Sequence, residues 1–276
     1  MNDKRVDLET LYYERPAPGV ALVTLNRPDR GNGVVVELVR DLFAVLDEWE
    51  PDPDVRVVVL TGAGRQFSAG ADLVAMREYL IDEFPASNEP FNARALYPLT
   101  QRIVASRLVF LAAINGGATA GGLDFALACD LRIASTAAKL GETYINMGLA
   151  PGNGGTWLLP KLVGSGVAAE LALTGDVVDA ARALELGLVS RVVEPDELIP
   201  TALALAAKIA DKPWRALEAT KQALRASWQV DFPTAMNTSY QVTAALHHQP
   251  DLLEAVTAFL ERRPPRFNVG VEHRLR

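Results

Sequence analysis

The chain has 276 residues, 49% of them hydrophobic and 22% charged, enough for one large domain with or without a small appendage. Its net charge of −7, from 27 Lys plus Arg against 34 Asp plus Glu, supplies no positive field for broad nucleic-acid binding. A single cysteine, Cys129, rules out an intrachain disulfide and points to a reducing, cytoplasmic compartment, while histidines only at 247, 248 and 273 leave the central region without a Ser-His-Asp triad or a zinc cluster, so no metal is expected.

Residues 1–14 are charged and lack the apolar run of a secretory signal. Val20–Leu25 reads as a buried strand, ended by Asn26-Arg27-Pro28-Asp29. Val34–Trp49 places Leu38, Leu42, Val45, Leu46 and Trp49 at helical spacing, and Pro51-Asp52-Pro53 stops it. Val55–Thr61 is a second strand, followed by the loop Phe67-Ser68-Ala69-Gly70-Ala71-Asp72. Glu78–Pro98 reads as polar and irregular. A helix is expected over Leu99–Ser106, a strand over Leu108–Ile114, a second small-residue loop over Asn115–Gly122, a buried helix over Gly121–Cys129 and a strand over Leu131–Ala134. Leu108–Cys129 is long enough to imitate a membrane span, but Asn115, two Gly-Gly pairs and Asp124 interrupt it, and no membrane association is expected. A third small-residue loop, Gly148–Gly155, precedes a helix from Thr156 and a strand over Val189–Val193. Beyond Pro195 the pattern is helical: Asp196–Asp211, Pro213–Trp228, Phe232–His247 and Asp251–Arg263. Alternating strands and helices make an α/β core over 1–198, with a helical region over 199–276 that packs on the core or on a neighbouring subunit.

The loops at 67–72 and 115–122 leave backbone N–H groups bare. Two such groups could hold one carbonyl oxygen as it gains charge, the requirement of an oxyanion hole. Asp124 shares a helical face with Gly121 and has no Lys or Arg three or four residues away. A carboxylate in an apolar run is either an N-terminal helix charge or a general base with a raised pKa. Asp130, followed by Arg132, reads as structural, Asp72 as a helix cap, and Ser68 as a packing residue without a base to activate it.

In these residues the chain resembles the crotonase (enoyl-CoA hydratase/isomerase) superfamily. The likeness runs from about 12 to 267 and rests on Leu25-Asn26-Arg27-Pro28, Phe67–Leu73, Ile114-Asn115-Gly116 with Gly121-Gly122, and Ala128–Ala134. It continues through Gly148–Gly152, Leu159–Gly164, Leu173-Thr174-Gly175 and Ala258–Pro264. The resemblance implies a spiral of ββα turns with a C-terminal helical trimerisation region, a homotrimer or homohexamer, and a coenzyme A thioester as substrate, with no other cofactor. It puts the oxyanion-hole amides on Ala71 and Gly121. It also implies a substrate-binding set of Arg27, Ser68, Ala69, Gly70, Asp72, Leu73, Gly117, Gly122, Pro151 and Gly152.

Hydratases of this family commonly use two glutamates. Here the first position is Asp124 and the second Tyr144. Aspartate withdraws the carboxylate by about one C–C bond, ~1.5 Å, and a phenol of pKa about 10 is a poor base at neutral pH. Glu142, two residues before Tyr144, could replace the missing carboxylate only if the local backbone departs from strand alternation. The expected enzyme stabilises a thioester enolate, with Asp124 moving the proton and Tyr144 shaping the site or donating to it. Hydration is the leading reaction. Double-bond isomerisation, decarboxylation or C–C hydrolysis of a β-keto acyl-CoA, and non-catalytic acyl-CoA binding are the alternatives.

Overall fold

The structure, a computed structural model, describes residues 5–91 and 96–269. In chain order its strands are β1 (Val6–Asp7), β2 (Leu11–Ala17), β3 (Gly19–Leu25), β4 (Val55–Gly62), β5 (Gln66–Ser68), β6 (Val109–Ile114), β7 (Gly117–Thr119), β8 (Leu131–Ser135), β9 (Lys139–Gly141), β10 (Val177–Asp179) and β11 (Arg191–Val193). The helices are α1 (Val36–Trp49), α2 (Leu73–Asp82), α3 (Phe84–Ser87), α4 (Leu96–Ala105), α5 (Gly121–Ala128), α6 (Gly155–Val163), α7 (Ser165–Thr174), α8 (Ala180–Glu185), α9 (Leu198–Ala210), α10 (Trp214–Ser227), α11 (Phe232–Leu246) and α12 (Pro250–Leu260).

Among the described residues the strands form two sheets. One has seven strands in the order β1-β2-β3-β4-β6-β8-β11, the other four in the order β10-β9-β7-β5. β3, β4, β6, β8 and β11 pair in parallel. A parallel sheet is covered on both faces, which is why these strands read as unbroken apolar runs. Successive side chains point to opposite sides. Ala21, Val23, Val58, Leu60, Phe110 and Ala112 face α1 and α5 in the larger core. Val20, Leu22, Val57, Val59, Leu111 and Ile133 face Leu198, Ala202, Ala206 and Ala210 of α9 in the other. α9 therefore covers this face of the sheet.

The irregular reading of Glu78–Pro98 is corrected. α2 runs on to Asp82 and α3 covers Phe84–Ser87. α2 buries only Tyr79, which packs on Phe84 and Phe91, so it carries no apolar stripe to announce it. Residues 92–95 of that stretch lie outside the described residues. No helix of the described residues is long and apolar enough to cross a membrane.

Asp130 anchors α10. Its carboxylate lies 2.9 Å from Lys221 Nζ and 3.2 Å from an Arg225 nitrogen, both on α10, and accepts from Phe110 N. Burial lowers the Lys221 pKa and the nearby Asp130 charge opposes that shift. Asp130→Ala would leave Lys221 buried without its counter-charge. The expected loss is about 3–5 kcal/mol, seen as a lower urea midpoint at constant m. A change below ~1 kcal/mol would show that the pair has no more weight than a surface ion pair.

Candidate active site

β5 ends at Ser68, which is fully buried. Its hydroxyl donates to Asn32 O at 3.0 Å and accepts from Gly70 N at 3.3 Å, a structural use with no adjacent base. Gly70 has φ +89°, and a Cβ there would fall 2.9 Å from Gly121 N and 3.0 Å from Thr119 O. The two small-residue loops therefore touch, as glycine alone permits. At Gly122 a Cβ would meet Ser68 O at 1.9 Å, so the first turn of α5 sits directly on β5.

Around Ala71, Val34 N donates to Gly70 O at 2.7 Å and Asp72 N donates to Val34 O at 3.3 Å, skipping the Ala71 amide. Gly121 is the first residue of α5, where N–H groups have no helical partner. Ala120 before it adopts φ +48° and ψ −122°, a costly conformation for a residue with a Cβ. It is held by Ala120 N donating to Gly141 O and by Leu123 N and Asp124 N donating to Ala120 O. Neither the Ala71 N–H nor the Gly121 N–H has an acceptor among the described residues. Both residues border one cavity of about 520 Å³.

Tyr144 forms part of the same wall. Its hydroxyl donates to Asp124 Oδ2 at 2.5 Å and accepts from Asn153 Nδ2 at 2.6 Å. Asp124 is fully buried and does not border the cavity; Tyr144 stands between the two. Burial raises the Asp124 pKa to about 6, opposed by hydrogen bonds from Tyr144 and from the Asn153 backbone. Burial and the adjacent Asp124 charge push the Tyr144 phenol well above its usual value, so Tyr144 stays neutral.

Glu142 belongs to the same cluster. β9 stops at Gly141 and Thr143–Met147 forms a 3-10 turn, so strand alternation does not apply there. The Glu142 carboxyl is fully buried, and burial followed by the Asp124 charge raises its pKa to about 9. Gly155, at the start of α6, makes room for both acids. A Cβ on it would lie 2.2 Å from Asp124 Oδ1 and 2.7 Å from Glu142 Oε1.

The remaining expected residues separate into three groups. Ala69, Asp72 and Leu73 border the cavity. Arg27 is committed to Asp72 at 2.8 Å and donates to Gly33 O, while Asp72 also accepts from Val74 N and Ala75 N as the cap of α2. Gly117 in β7 packs against the Gln66 side chain, Pro151 borders a different groove beside Glu142, and Gly152 is exposed. Sequence reasoning did not single out Asn153 or Arg30. Asn153 is buried between glycines of the third loop, which is its only sequence signal. Arg30 is exposed at the cavity wall with no ion-pair partner among the described residues.

A family model described as enoyl-CoA hydratase/isomerase matches residues 15–270. The short-chain-enoyl-CoA hydratase of Clostridium acetobutylicum is 37% identical over 94% of this chain and 97% of its own length. The (E)-benzylidenesuccinyl-CoA hydratase of Thauera aromatica is 39% identical over 90% of this chain and 95% of its own. The crystal structure of an enoyl-CoA hydratase from Bacillus anthracis superposes with a TM-score of 0.88 at 34% identity, covering 94% of this chain and 99% of that one.

Proposed function

This chain belongs to the enoyl-CoA hydratase/isomerase family, and we propose that it adds water to the double bond of an enoyl-CoA thioester through an enolate. The observation that carries the proposal is the pair of unbonded amides, Ala71 and Gly121, on one cavity wall beside Tyr144. The thioester oxygen would accept from both N–H groups, which act where charge develops. As water oxygen bonds to the β-carbon, its proton passes to Tyr144 Oη while the Tyr144 proton passes to Asp124 Oδ2. The reverse transfer delivers a proton to the α-carbon and closes the balance with one water added. Tyr144 alone is too weak an acid or base for these steps, and the charged Asp124 behind it makes them feasible.

Arg30 at the mouth is suited to a phosphate of the coenzyme, a role that the Asp72 partnership of Arg27 leaves open. The coenzyme enters as part of the substrate, and no metal or redox cofactor takes part in the proposed steps. Apolar residues stand exposed along α11 (Phe232, Met236, Tyr240) and α12 (Leu253, Val256, Leu260), at helical spacing. This face supports self-association as a trimer or hexamer of a cytoplasmic enzyme. Light scattering should give three or six copies, and a monomer at micromolar concentration would contradict that part of the proposal.

The test is a panel of enoyl-CoA thioesters in D₂O, read for loss of the enoyl chromophore and for deuterium at the α-carbon. Hydration predicts both, while neither turnover nor exchange across the panel would leave only acyl-CoA binding. One observation favours isomerisation as a second reading. Among the described residues, Tyr144 is the cavity-wall group whose hydroxyl is backed by a carboxylate, and a single proton carrier suffices to shift a double bond. Product analysis separates an added hydroxyl from a moved double bond. Either reaction should lose rate as pH falls through about 6, because protonating Asp124 removes the acceptor behind Tyr144.

A further inference from the structure

Three buried carboxyl oxygens have no hydrogen-bond donor among the described residues: Asp124 Oδ1, Glu142 Oε1 and Glu142 Oε2. Asp124 Oδ1 and Glu142 Oε1 converge on the same small residue, Gly155, where any side chain would displace them. Two carboxylates cannot bond each other, and two like charges buried side by side repel. One proton held between them removes both penalties.

We propose that Glu142 is a neutral carboxylic acid that donates its hydrogen to Asp124 Oδ1, keeping Asp124 charged and aimed at Tyr144, and so is a positioning residue for the reaction. This inference rests on the reading above that Asp124 moves the proton. The hydrogen-bond inventory decides which acid holds the proton. Asp124 already accepts from the Tyr144 hydroxyl and faces the Asn153 N–H, both favouring its charged form. Glu142 has no donor and gains most by being neutral. The directions agree: burial and the adjacent Asp124 charge both raise the Glu142 carboxyl, while the hydrogen bonds to Asp124 oppose the rise that burial imposes on it.

The groups facing Glu142 are few. α5 contributes Asp124, and the turn after β9 contributes Tyr144. α6 and α7 line the adjacent groove of about 290 Å³ with Gly155, Leu159, Ala168 and other residues that do not titrate. Glu142 itself borders that groove.

The test uses the full-length enzyme with Glu142→Gln and Glu142→Leu. Infrared spectroscopy of the wild type at neutral pH should show a buried carboxylic-acid C=O band that Glu142→Gln removes. Its absence overturns the proposal whatever the turnover. Glu142→Leu should lose about a hundredfold in kcat by letting Asp124 shift, and Glu142→Gln, whose amide can still donate to Asp124, should restore most of that loss. Wild-type activity should fall as pH rises through about 9, where Glu142 ionises against Asp124. Glu142→Gln should lose that limb, and a limb that persists unchanged also overturns the proposal.

Stability gives a readout independent of catalysis. Glu142 titrates at 4.5 unfolded and about 9 folded, so its favourable contribution is complete below the first value and is lost as pH rises through the second. The melting temperature of Glu142→Gln relative to wild type should therefore rise with pH, and a flat difference contradicts the neutral acid. If the band is present but no enoyl-CoA is turned over, the failure lies with the proposed reaction and not with Glu142.

Discussion

Asp124→Asn should lower kcat by about a thousandfold while leaving the fold and acyl-CoA affinity intact, since a positioned proton carrier contributes about 10²–10⁴ in rate. Asparagine matches aspartate in shape, so Tyr144 and Asn153 keep their places. It cannot take the proton that Tyr144 must pass on when the attacking water gives one up. The substitution also removes a buried negative charge beside Glu142, so melting temperature should hold or rise. Loss of α-deuterium exchange together with retained binding, measured by calorimetry, separates a chemical defect from a structural one. Turnover within about threefold of wild type would remove Asp124 from the mechanism, because that is far below the effect of losing an acid–base group.

Gly70→Ala should cost about a hundredfold in kcat, the size of losing one oxyanion donor. The new Cβ would stand 2.9 Å from Gly121 N and 3.0 Å from Thr119 O, forcing the two loops apart. Because Gly70 sits at φ +89°, the substitution also adds about 1–3 kcal/mol of backbone strain. Gly164→Ala provides the control. That residue also has positive φ, +80°, but nothing lies within 4 Å of its would-be Cβ. It should lose stability by a similar amount and keep its activity. Equal kinetic losses in the two variants would mean that strain, not displacement of the amides, explains the effect at Gly70.

The sheet was the most legible part of the fold. Runs such as Val20–Leu25 and Leu108–Ile114 are apolar on both faces because α1 and α5 cover one side and α9 the other. The two glycine loops were legible for a related reason: close approach of backbone to backbone demands small residues, and Gly70 and Gly122 are where that approach occurs. Asp124 stood out as an acid in an apolar run, and Asp130 proved to be the structural acid that Arg132 nearby suggested, although its partners are Lys221 and Arg225 of α10.

What was not legible depends on non-local geometry. α2 has no apolar stripe, since Tyr79 alone is buried, so helical periodicity had nothing to detect past residue 78. The strands of the smaller sheet are three residues long, too short for alternation to register. Glu142 joins Asp124 only because β9 gives way to a 3-10 turn at that point. The screening of Asp124 from the cavity by Tyr144 follows from that same turn meeting α5. Asn153 carries no local pattern, and its role as a donor to Tyr144 emerges only when the third loop folds back on α5.

A crystal structure with a slowly reacting acyl-CoA bound is the most direct measurement. The thioester oxygen should lie about 2.7–3.1 Å from both amide nitrogens, Ala71 and Gly121, with the α-carbon facing Tyr144 Oη. A thioester oxygen bonded elsewhere, or either amide turned to donate to a carbonyl of the protein, would contradict an enolate held between the two loops.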